Sequence, residues 1–119
     1  MPVPLDDIEK DINTISLILD NYKRLCLIDK EGVDYYLHAL SNNFAGLLDQ
    51  KMSLSIEYLN PIVQLIKKFY KINILMPQEL NNALCNILLN FDHNYEYEVL
   101  QDTVNECIKK LDILGEDSF

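Results

Sequence analysis

An all-α fold of five to six helices is what this sequence predicts, and three observations carry the prediction. Apolar residues recur at steps of three and four along nearly the whole chain, the spacing that keeps them on one face of a helix. Only 3 of the 119 residues are glycine, too few for the tight turns of a many-stranded sheet. The one stretch that alternates, Ile72-Asn73-Ile74-Leu75-Met76, is short and has no partner strand elsewhere in the chain.

The first helix is expected over 5–28. Leu5, Ile8, Ile12, Ile15, Leu19, Tyr22 and Cys26 form its stripe, and Ile18 and Leu25 widen it beyond a strict coiled-coil seam. Asp6, Asp7, Glu9 and Asp11 stand near its start and Lys23 and Arg24 near its end, the order the helix dipole favours. A second helix follows over 32–49 with Asp29 as N-cap, carrying Val33, Tyr36, Leu37, Leu40, Phe44, Leu47 and Leu48 on its apolar face. Pro61 then divides a short helix at 53–59 from a longer one at 61–72, because an interior proline removes a hydrogen bond and Asn60-Pro61 suits an N-cap and first helical residue. The longer piece turns Ile62, Val63, Ile66, Phe69 and Tyr70 inward and Gln64, Lys67, Lys68 and Lys71 outward. Pro77 opens the next helix, with Leu80, Leu84, Ile87, Leu88 and Phe91 at helical steps. The last helix spans 95–114 and ends at Gly115, the residue that tolerates a left-handed C-cap. Residues 1–119 form one domain, with 115–119 expected as a frayed tail.

The segment Leu59-Asn60-Pro61-Ile62-Val63-Gln64-Leu65-Ile66-Lys67-Lys68, followed by Pro77-Gln78-Glu79-Leu80-Asn81-Asn82-Ala83-Leu84-Cys85-Asn86-Ile87-Leu88-Leu89-Asn90, resembles one unit of an armadillo or HEAT repeat. Within that class the likeness, over about 53–114, is to synembryn-type G-protein chaperones. The resemblance implies either a compact bundle with repeat-like spacing or a short armadillo/HEAT-like array, binding protein along a helical groove without catalysis. Solenoids need about three stacked repeats to bury their cores, and this chain has room for two at most.

Composition narrows the function. Hydrophobic residues at 49% and charged residues at 24% are those of a folded globular domain. Nineteen acids against ten bases give a net charge of −9, and Arg24 is the only arginine, so nucleic acid and anionic membrane are not expected partners. No apolar run reaches the roughly 20 residues of a membrane span, and Met1-Pro2-Val3-Pro4-Leu5-Asp6-Asp7 lacks the features of a signal peptide. Cys26, Cys85 and Cys107 are odd in number and widely spaced, which predicts reduced core thiols and a cytoplasmic setting.

No chemistry-bearing motif stands out. Cysteine and histidine never approach metal-ligand spacing, phosphate loops are absent, and no cofactor is expected. Asp34 and His38 lie one turn apart and could pair, but no nucleophile stands beside them. The expectation is therefore a non-enzymatic protein–protein interaction domain, an adaptor or regulatory subunit open to self-association. The alternative is an acidic inhibitor or immunity-type protein that masks the basic surface of a toxin or nuclease. Candidate partner-binding residues are Glu98, Asp102 and Glu106, an acidic stripe at steps of four on the last helix, with Tyr95 and Tyr97 just before it.

Overall fold

The computed structural model describes residues 5–51 and 56–89, together with Asn105, Glu106, Lys109, Lys110 and Ile113. The described residues are all-helical, without a strand. They form α1 (Leu5–Asp20), α2 (Tyr22–Asp49), a 3-10 turn (Ile56–Tyr58), α3 (Leu59–Ile72) and α4 (Gln78–Leu89). The five described residues beyond 104 are helical too, as expected for the last helix. The tail at 115–119 lies outside the described residues.

Among the described residues the helices are four and are divided differently than the spacing suggests. The stripe from Ile8 onward does not run to Cys26 in one helix; the chain breaks at Asn21. Asparagine is a poor interior helix residue because its amide competes for backbone partners. Here its Nδ2 donates to the Leu17 carbonyl at 2.8 Å, closing the end of α1. Lys23 and Arg24 consequently sit in the first turn of α2, not the last turn of α1. The second expected start survives as a bend within α2. Asp29 has extended backbone angles (φ −159, ψ 86), and its Oδ1 accepts the Gly32 N–H at 3.0 Å, the bond an N-cap makes. A Cβ at Gly32 would lie 2.3 Å from the Asp29 Oδ2, so this glycine leaves the capping carboxylate its room.

Pro61 does not divide the third region as expected. α3 begins at Leu59, which leaves the proline in the first turn, where its missing N–H has no intrahelical partner to lose. Asn60 is not an N-cap; its Oδ1 accepts from the Gln64 Nε2 at 3.4 Å. α3 ends at Asn73, whose left-handed backbone (φ 56, ψ 45) sends its N–H back to the Phe69 and Tyr70 carbonyls. Residues 74–77 then run without regular structure, burying Met76 and half-burying Ile74, before Pro77 accepts the Asn81 N–H at 3.0 Å.

One core draws on every helix. Ile8, Ile15 and Leu19 come from α1, Leu37, Phe44 and Leu48 from α2, Ile62, Leu65, Ile66 and Phe69 from α3, and Leu80, Leu84 and Leu88 from α4. α2 packs against α1 and α4, and α1 packs against α3, so the spatial order is α3-α1-α2-α4. Ser41 and Ala45, one turn apart and buried, are the small residues of α2 in this core region. The Ser41 hydroxyl lacks a hydrogen-bond partner among the described residues, a cost of about 1–3 kcal/mol.

Two tyrosines depart from their expected faces. Tyr36 and Tyr70 are exposed rather than inward. Cys85 packs against the core and its Sγ donates to the Asn81 Oδ1 at 3.8 Å, whereas Cys26 is half-buried outside the core beside Tyr22.

Candidate functional site

The bend at Asp29 gives α2 a concave and a convex side. Tyr22 and Asp34 are twelve residues apart, which in a straight helix is about 18 Å of rise. The bend brings them together, and the Tyr22 hydroxyl donates to the Asp34 Oδ1 at 2.5 Å. Lys30 Nζ holds the other carboxylate oxygen at 2.6 Å. Asp34 therefore serves Lys30 and Tyr22, and His38, one turn on, is exposed nearby. A cleft of about 350 Å³ opens over this group, walled by Ile74, Leu75 and Pro77 from the segment before α4.

The electrostatics follow the contacts. The Lys30 hydrogen bond first, and the Tyr22 hydroxyl second, hold the Asp34 carboxyl below its ordinary value of 3.8. Burial and then the Asp34 bond push the Tyr22 hydroxyl well above its usual range, so it stays a neutral donor. A carboxyl depressed on folding stabilises the fold above its unfolded value and loses that contribution as pH falls through the folded one. Asp11 has the opposite sign, because burial raises its pKa and protonation favours its folded form. The stability gap between the parent and Asp34→Asn in urea melts is thus expected to be widest above about pH 5, at no more than about 1 kcal/mol for a part-exposed pair. It should close below 3.8; a pH-independent gap would contradict the ion pair.

The convex side carries the larger surprise. Leu27 is 88% exposed and Ile28 81%, at the apex of the bend. Tyr35 at 78% and Tyr36 at 55% follow two turns later on the same element. Helical spacing is consistent with this surface, since Leu27 and Ile28 lie one turn after the exposed Lys23 and Arg24, off the apolar stripe. The signal in the sequence is their surplus: neither is needed by the three-and-four pattern of its helix.

Of the acidic stripe, the described member is Glu106. It is exposed, Lys110 Nζ lies 2.6 Å from its Oε1, and that bond lowers its pKa, with Lys67 adding a smaller pull. Lys110 also sits 5.6 Å from the centre of the Tyr70 ring, a cation–π contact that ties the last segment to α3. Glu98, Asp102, Tyr95 and Tyr97 lie outside the described residues. Among the described residues no group of three or more histidine, cysteine or acidic side chains could hold a metal ion, and no helix is long and apolar enough to cross a membrane. No protein-family model, curated protein or solved structure matches the chain.

Proposed function

We propose that this chain is a non-enzymatic protein-interaction domain that docks a protein partner on the convex side of α2. The observation that carries the reading is the display of Leu27, Ile28, Tyr35 and Tyr36 on one bent element that also helps to build the core. Fully burying a side chain of this size is worth about 1.5–3 kcal/mol, so these residues hold binding free energy that folding leaves unused. Tyrosine with aliphatic neighbours is also the composition of an interface centre. The acidic-inhibitor reading needs free negative charge on the last helix, and Glu106 there is paired with Lys110 within the chain. The observations thus favour α2.

The test is capture from the native cell with parent protein and with Leu27→Glu/Ile28→Glu. Both positions are in water, so the double variant should melt within about 0.5 kcal/mol of the parent. A partner held by the bend should be lost, with affinity weakened roughly a hundredfold or more. Its association rate with the parent should change little with salt, because apolar contact is not screened. A captured partner that the double variant retains, or one whose association collapses in salt and on Glu106→Lys, would transfer the function to the acidic helix.

A further inference from the structure

A second cleft, of about 500 Å³, lies at the joint between α1 and α2 and is lined by Leu19, Asp20, Asn21, Lys23, Arg24, Lys68, Lys71 and Ile72. Four of the chain's ten basic residues meet there from two separate segments, and the single carboxylate among them leaves a local excess of three positive charges in a chain of net charge −9. Lys68 spends part of its charge on Asp20, at 2.9 Å. Lys23, Arg24 and Lys71 are exposed around it.

The placement of Lys23 and Arg24 runs against the helix they begin. A helix N-terminus carries partial positive charge and favours acids, yet the first turn of α2 has two bases and no acid. Asn21 does not cap it either: its side-chain amide serves the Leu17 carbonyl, and its Oδ1 accepts from Arg24. Cations and an uncapped helix start therefore meet at an open cleft, and both favour added negative charge. An arginine fork with flanking ammoniums matches the oxygens of phosphate. Leu19 and Ile72 supply an apolar margin.

We infer that this cleft binds a small anion bearing two or more phosphate charges, either free or as the headgroup of a phosphorylated lipid. The site is independent of the convex side of α2. Calorimetric titration of the full chain with inorganic pyrophosphate is expected to show saturable one-to-one binding. Arg24→Gln/Lys71→Gln should weaken it by at least about tenfold, since hydrogen bonds from charged donors to phosphate are stronger than neutral ones. Lys23→Gln/Lys71→Gln should do the same while leaving the Arg24–Asn21 contact in place. Lys10→Gln/Lys51→Gln changes the net charge equally, away from the cleft, and should weaken binding less than about twofold. Flotation with phosphatidylcholine vesicles, with and without phosphatidylinositol bisphosphate, separates the two sources. Binding there, abolished by the cleft variants, assigns the lipid; pyrophosphate binding without flotation assigns the free anion. Absence of saturable pyrophosphate binding, or equal weakening by the cleft and control variants, would overturn the site.

Discussion

Ile15→Asp is expected to leave the chain largely unfolded at room temperature. Ile15 is fully buried on α1, the helix that packs against both α2 and α3. The substitution removes a buried aliphatic side chain, worth about 1.5–3 kcal/mol, and places a carboxyl among apolar neighbours. An unpaired acid there must either stay charged or bind a proton against its ordinary pKa, which adds several kcal/mol. The sum is comparable with the whole stability of a domain this size, about 5–15 kcal/mol. Leu17→Asp is the matched control: Leu17 lies two residues away but is 64% exposed, and its replacement should cost no more than about 0.5 kcal/mol. Far-ultraviolet circular dichroism and thermal melts distinguish the outcomes. If Ile15→Asp melted like the parent, α1 would be an arm that folds onto the rest without supporting it.

The fold class was legible because burial imposes a period. Ile8, Ile12, Ile15 and Leu19 are spaced for one helix face and lie on one, and Leu80, Leu84 and Leu88 do the same in α4. Helix limits were less legible because polar residues set them through contacts that spacing does not encode. Asp29 was readable as a cap, since a short acid before a helical stripe has few other uses. Asn21 was not: its effect depends on which carbonyl its amide reaches, and the apolar stripe continues past it through Tyr22 and Cys26. Pro61 carried the opposite ambiguity. A proline is compatible with a new helix start or with the first turn of a helix already begun, and Leu59, fully engaged in the core, selects the second.

Surface residues were harder still. The candidate site on α2 is made of apolar side chains, and an apolar side chain beside a core stripe reads as core. Leu27 and Ile28 lie one turn after the exposed Lys23 and Arg24, just before the bend at Asp29, and their exposure is read from the fold. The basic cleft is a tertiary product as well. Lys68 and Lys71 look like a solvated face of α3, and Lys23 and Arg24 like helix-end charges, until the break at Asn21 and the Asp20–Lys68 pair bring them together.

Phe44→Ala and Tyr35→Ala should separate stability from binding on the same helix. Phe44 is fully buried where α2, wedged between α1 and α4, crosses the core. Truncating it removes the ring's transfer free energy and leaves a cavity its neighbours can only partly close, a loss of about 3–5 kcal/mol. The variant should still fold, with a urea midpoint far below the parent's, and should bind its partner normally under conditions where it is folded. Tyr35 is of similar size, but 78% of it is in water, so Tyr35→Ala should lower the unfolding free energy by no more than about 0.5 kcal/mol. Its effect belongs to the interface, where an aromatic anchor typically costs 2 kcal/mol or more on truncation, about thirtyfold in affinity. Urea melts and partner affinity for the two variants give four numbers, and the expected pattern is a crossed one. If Tyr35→Ala destabilised the domain as Phe44→Ala does, the aromatic side of α2 would be covered by the chain itself in solution, and the docking surface would have to lie at the bend alone.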